Sequence, residues 1–426
     1  MRFCSLLNLL LASALSLSFC LVIQVQAASP WAIQDVQTVG ALGGSALALD
    51  SNDNPHITYY RYMNNDYYNP ANLTYASWNG SGWETQTLES GMECSPALDS
   101  FNNPHICYIY STPTSSYVKY TSWTGSNWDN QTVDTSSTSS FGLDSNSLAL
   151  DSNNNPHIVY NEQSDLNTTL KYASWTGSNW SIQTIDSEAP SSDFYGASVS
   201  LDSNNYPHVV YGEGNMIYGT VFNNESNVKY AEWNGQNWNI QTVFLNISSF
   251  GNIALDSNGY PSFTYIFESS LRYASWGGSS WRSQNVDSNP LISDSSFLAL
   301  DRQNNPHISY YKDAELGSET GGNWMYAYWT GSAWNTEIVD NNGTDYGAGP
   351  IALGSSGNPH ISYPSFHSSA PFHYRNIKYA TRTEFTQPPP SPIIVVIAVV
   401  VAITVLAVLF LVYKIKQKGA KSSPPV

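Results

Sequence analysis

The sequence predicts an all-β fold: a seven-bladed β-propeller with four antiparallel strands per blade, followed by one C-terminal transmembrane helix. Three observations predict it. The phrase ALD-x-x-x-x-PH-x-x-Y recurs seven times with small variations (among them Ser262 for the His in the fifth copy and Gly354 for the Asp in the seventh), with its prolines at Pro55, Pro104, Pro156, Pro207, Pro261, Pro306 and Pro359, about 51 residues apart on average. A second phrase, Y-A-S-W-x-G-x-x-W, follows the first six copies and accounts for 12 of the 14 tryptophans. The two ends of the chain carry complementary fragments of the seventh repeat, so the array closes on itself.

Residues 1–27 read as a secretory signal, with Arg2 in a short basic start, an apolar run from Leu6 to Val25, and Val25-Gln26-Ala27 before the cleavage point. An uncleaved anchor is the alternative. The ring is expected over 28–386. Each unit resolves into four strands, as in Ser147–Asp151, Pro156–Tyr160, Leu170–Trp175 and Trp180–Asp186. Alternating β-branched and aromatic residues favour strand, and Asn/Gly/Pro clusters between them favour hairpins. The seventh unit lacks its fourth strand, and Trp31-Ala32-Ile33-Gln34 matches Trp180-Ser181-Ile182-Gln183. The N-terminal strand therefore completes the last blade and removes the open edges of a linear array. Residues 387–392 (QPPPSP) form a stiff spacer. Residues 393–413 contain no charge, and 21 helical residues at about 1.5 Å each cross a hydrocarbon core of about 30 Å. Lys414, Lys416, Lys418 and Lys421 mark 414–426 as a cytoplasmic tail, giving single-pass type I topology.

Composition narrows the function. Aromatics at 14% and charged residues at only 12% exclude a disordered chain. All 33 acidic residues fall within 28–392 with 11 of the 16 basic ones, leaving that segment at −22. Such a surface has no basic patch for nucleic acid. Of four cysteines, Cys4 and Cys20 lie in the signal, and Cys94 and Cys107, on neighbouring strands, are expected to form a disulfide outside the cell. Two separate buried thiols are the alternative. Sequons at Asn72, Asn79, Asn130, Asn167, Asn179, Asn224, Asn246 and Asn342 are glycosylation candidates.

Ser77-Trp78-Asn79-Gly80-Ser81-Gly82-Trp83 resembles the Asp-box S-x-D-x-G-x-x-W of bacterial-neuraminidase-type repeats, a family of exported sialidase-like and lectin-like propellers. One residue is missing before the glycine, and Asn or Thr usually replaces the Asp. The resemblance covers the whole ectodomain at the level of the repeat. It implies the propeller and places the motif in the hairpin between third and fourth strands; the box is a folding element and implies no chemistry.

Three repeated features invite a functional reading. His56, His105, His157, His208, His307 and His360 occupy one repeat position. Copies set around a ring lie too far apart to share a metal, so a structural role is expected. The turns Asp50 to Pro55 and Asp151 to Pro156 are oxygen-rich like the start of a calcium loop but lack its glycine and distant Glu. Turns in which Asp and Asn bond their own backbone are the expectation, no cofactor is expected, and calcium is the alternative. The Trp pairs are expected to pack on each other and on the next blade, with sugar-stacking platforms as the alternative. No catalytic residue is assigned. The few arginines form no cluster for a substrate carboxylate, and no Gly-x-Ser-x-Gly elbow or zinc-spaced His/Cys set occurs. A paired-carboxylate hydrolase stays open because single residues from separate blades can form such a site.

Strand alternation puts the uniform x-N-x-P and W-x-G-x-x-W turns on one face and the variable connections on the other. Uniform turns serve the fold, whereas individual loops usually carry binding. On the variable face the ligand-binding candidates are Tyr62, Tyr67, Tyr68, Tyr218, Trp324, His373 and Arg375. Rigid aromatics with scattered charge suit a glycan or protein ligand. The expected function is cell-surface recognition or adhesion through that face; a glycoside hydrolase or lyase on the same scaffold, or a structural envelope component, are the alternatives.

Overall fold

The computed structural model describes residues 30–382, apart from 40–41, 63–70, 145–146, 189–191, 216–225, 290–291, 314–321, 344–348 and 367–374. The expected signal (1–27), spacer (387–392), membrane helix (393–413) and tail (414–426) lie outside the described residues. Among the described residues no helix is long and apolar enough to cross a membrane.

The described chain is entirely strand and turn, arranged as seven blades of four antiparallel strands. They span 42–90, 92–136, 140–188, 192–247, 249–288, 292–343 and 351–382, the last completed by the N-terminal strand Trp31–Val39. That strand pairs with Arg375–Arg382 from Trp31 opposite Arg382 to Val39 opposite Arg375. The ring thus closes as the matching end fragments require. First strands of successive blades touch one another around the ring, from Leu42–Leu49 through Met92–Leu98 to Ile351–Leu353, so they are innermost.

The turns repeat because their side chains bond locally. Asp50 Oδ1 accepts from the N–H groups of Asn52 (2.8 Å) and Asn54 (2.7 Å), and Asp151 does the same for Asn153 and Asn155. One residue in each such turn must adopt positive φ: Asp53, Asn102, Asn154, Asn205, Gly259, Asn304 and Gly357. Asn and Gly tolerate that conformation best. These turns also join blades: the N–H of Ser51 donates to Asn102 Oδ1 at 2.9 Å, and that of Ser100 to Asn154 Oδ1 at 3.1 Å.

The tryptophans are mortar between blades. The Trp opening each fourth strand packs edge-on against a third-strand Tyr of the preceding blade, as in Trp128 on Tyr75, Trp180 on Tyr120 and Trp238 on Tyr172. Trp31 on Tyr326 and Trp83 on Tyr379 continue the series across the closure, with centroids 5.3 and 5.4 Å apart. Trp83, Trp128, Trp180, Trp238 and Trp334 each donate Nε1–H to a Gln of the preceding blade.

The disulfide expectation is corrected. Cys94 and Cys107 are free, buried thiols. Register puts Ser95, not Cys94, opposite Cys107. Cys94 then packs with Leu73 and Ile106 toward blade one, and Cys107 with Phe141 and Ile158 toward blade three. Adjacent positions on a strand point to opposite faces, so the two sulfurs are separated by the sheet itself.

Candidate functional site

The repeated histidines are structural. His56, His105, His157, His208, His307 and His360 each pair Nδ1 with a tyrosine hydroxyl of the neighbouring strand, from Tyr75 through Tyr120, Tyr172, Tyr230 and Tyr326 to Tyr379. Nε2 of His105 and His307 lies 3.6 Å from Asp99 and Asp301. Burial lowers every one of the six pKa values, His360 down to about 4, so the rings are neutral at pH 7. Among the described residues no group of three His, Cys, Asp or Glu is placed to hold a metal ion.

The candidate residues from the variable loops divide. Tyr67, Tyr68, Tyr218 and His373 lie outside the described residues. Tyr62 closes a second strand opposite Ala71, and Arg375 opens a third strand opposite Phe366, which sets both at the variable-face ends of their blades. Trp324 is corrected from surface anchor to core. It is fully buried, donates Nε1–H to the carbonyl of Pro364 at 3.2 Å, and packs between Tyr311 and Tyr363. A Cβ on Gly349 would collide with its ring, so a glycine leading into the next blade makes its space. Of the sequons, Asn79, Asn130, Asn167, Asn179 and Asn246 are exposed and Asn72 is half-buried; Asn342 lies on a strand, and Asn224 is outside the described residues.

Variable-face ends of the blades carry a repeated polar tie that the sequence reading missed. A second-strand tyrosine hydroxyl donates to an acidic side chain ending the preceding blade: Tyr160 to Asp134 (2.8 Å), Tyr211 to Asp186 (2.7 Å), Tyr310 to Asp287 (2.8 Å) and Tyr363 to Asp340 (2.9 Å). Lys171, Lys229, Lys312 and Lys378 reach the same carboxylates at 3.0–3.3 Å. Lys229 also meets Glu213 at 2.8 Å and Glu188 at 3.4 Å. At the junction of blades four and five Phe244 takes the acidic place and stacks on Tyr265 at 4.4 Å.

One residue departs from all these regularities. Glu93 sits near the start of the inner strand Met92–Leu98, at the variable-face mouth of the ring. Its φ is +52°, in the left-handed region. Counted back from the last leucine of the inner strand, the same place holds Gly44 in blade one and Gly196 in blade four. Glu93 Oε2 accepts the N–H of Leu143 in blade three at 2.9 Å. Burial pushes its pKa up to about 7; the Leu143 N–H opposes the shift and the nearby carboxylate of Asp144 adds to it. Asp144 belongs to the innermost segment of blade three, where its own N–H donates to Ser147 Oγ at 2.7 Å. The carboxylate of Asp144 on the adjacent blade is therefore within electrostatic reach of Glu93, and near neutral pH Glu93 can hold or release a proton. The sequence signal was a carboxylate where two other blades place glycine, hidden because strand starts vary more than turns.

No family model matches the sequence, and no curated protein matches it. Solved structures similar to it include a protein of unknown function from Dyadobacter fermentans (9% identity, 82% of this chain and 98% of that one, TM-score 0.45). An α-L-arabinofuranosidase from Fusarium graminearum is similar at 9% identity over 82% of this chain and 98% of that one (TM-score 0.46). A sialidase from Streptococcus pneumoniae is similar at 10% identity over 82% of this chain and 70% of that one (TM-score 0.44). At these identities the likeness concerns the ring of blades alone.

Proposed function

We propose that this chain is a membrane-anchored surface protein that recognises glycan at the variable face of its propeller, around the Glu93–Asp144 pair. Glu93 is the observation that carries the reading. A non-glycine residue held at positive φ costs roughly 1–3 kcal/mol, and such strain concentrates at functional sites. Two carboxyl groups at the mouth accept hydrogen bonds from sugar hydroxyls, and Tyr62 and Arg375 stand at the rim of the same face. The expected signal over 1–27, the uncharged run 393–413 and the basic residues after it support a propeller held outside the cell.

A second reading, a glycoside hydrolase on this scaffold, is favoured by one property of the same residue. A carboxyl group with pKa about 7 beside a second carboxylate suits general-acid protonation of a leaving oxygen. One experiment separates the two. Full-length protein in a sugar-free detergent is screened on a glycan array, and its hits are then assayed for release of reducing ends. Recognition predicts saturable binding without turnover; hydrolysis predicts turnover lost in Glu93→Gln. A clean negative from folded protein in both assays contradicts glycan recognition and directs the search to a protein ligand by pull-down.

A further inference from the structure

A cleft of about 460 Å³ opens between blades one and two on the face of the uniform turns, opposite the mouth that holds Glu93. Its wall is the Trp123–Trp128 pair, with ring centroids 5.6 Å apart at 63°, and Tyr75 lies edge-on to Trp128 at 5.5 Å. Glu84, Gln86 and Asn102 supply polar groups around those rings. Small-molecule sites run from about 300 to 1,000 Å³ and pair apolar walls with a few placed polar groups. This cleft has both properties.

Its chemistry selects the ligand class. No lysine or arginine lines it, and its one charged side chain is the carboxylate of Glu84. An anionic sugar would meet like charge there with no cation to offset it. A neutral saccharide ring fits: its C–H faces pack on indole, and its hydroxyls bond amide and carboxylate groups. We propose that the cleft is a glycan site for a neutral saccharide unit, separate from the variable face.

Blade six shows how the same groove is closed. Ser77 lies opposite His56 in blade one, and in blade six Tyr328 takes that place opposite His307. The Tyr328 ring stacks on His307 at 6.4 Å, and its hydroxyl accepts from Asn335 Nδ2 at 3.2 Å. A serine at this register leaves room beside the histidine, whereas a tyrosine fills it.

The test titrates full-length protein in a sugar-free detergent with methyl α-mannoside, methyl β-galactoside, methyl α-arabinofuranoside and methyl β-glucuronide, read by saturation-transfer NMR. At least one neutral glycoside is expected to saturate, with the glucuronide at least tenfold weaker. Ser77→Tyr copies the blade-six filling and should weaken binding at least tenfold. Glu84→Arg, at an exposed position that leaves the core untouched, should do the same by laying a long side chain across the cleft. Ser122→Tyr in blade two should change nothing. Absence of saturable binding by every neutral glycoside, unchanged affinity in the folded Ser77 and Glu84 variants, or equal binding of the glucuronide overturns the proposal.

Discussion

Glu93 holds a conformation that Gly196 holds in blade four, where φ is +65°. Glu93→Gly should relieve backbone strain of about 1–2 kcal/mol but leaves the Leu143 N–H without its acceptor, at a cost of about 1–3 kcal/mol, so that denaturant midpoints should not rise by more than the relieved strain as glycan binding falls. The protonation of Glu93 has a definite sign. A carboxyl group whose folded pKa exceeds its unfolded value binds more protons in the native state, so its contribution to stability falls as pH rises from about 4.5 to 7 and then levels off. Glu93→Gln should lose that slope in a pH series of urea melts; an identical slope in both proteins contradicts the shift. Trp324 illustrates why a solitary aromatic misleads. Its sequence context resembles a surface loop, but its ring is fitted against Gly349, a residue that belongs to no recognisable pattern. Trp324→Ala should cost about 3–5 kcal/mol as a core truncation, measured by chemical unfolding, rather than a selective loss of binding.

At the scale of the element, the blade was legible because its turns repeat in type and spacing. The phrases around Pro55 and Trp83 fix both hairpins of a unit, and alternation fixes which residues face the neighbouring blade. The Tyr–Asp–Lys ties were not legible, since Asp134 and Tyr160 come from separate blades and neither sits in a motif by itself. Lys229 is the cation shared by Asp186, Glu188 and Glu213. Replacing it with Met leaves half-buried carboxylates uncompensated and should cost about 3 kcal/mol, again by chemical unfolding. The six repeated histidines act in the opposite sense to Glu93. Their folded pKa values lie below the usual 6.5, so the unfolded chain takes up protons first, and stability held above pH 6.5 is lost as pH falls toward about 4, where His360 titrates. Melting temperature should drop across that window, and more steeply in Glu93→Gln, where the opposing slope is gone.

At the scale of the whole molecule, the ring was readable from two incomplete repeats, because a missing fourth strand at one end and a lone fourth strand at the other have only one economical pairing. The variable face was readable as a side of the ring, whereas the residues proposed to bind there were not. Variable loops announce where sequence is free to differ, while the strained Glu93 and its neighbour Asp144 stand on the innermost segments of their blades, where no repeated phrase marks them. A glycan recognised around Glu93 and Asp144, as proposed, is felt first on the innermost segments at the mouth. The most direct test is hydrogen–deuterium exchange on the full-length protein with and without a glycan from the array screen. Protection is expected at Gly91–Cys94, at Leu143–Asp144 and in the loops between second and third strands. Protection absent from these segments and confined to the outer strands, such as Trp180–Glu188 and Trp238–Ile247, would contradict the placement of function at the mouth.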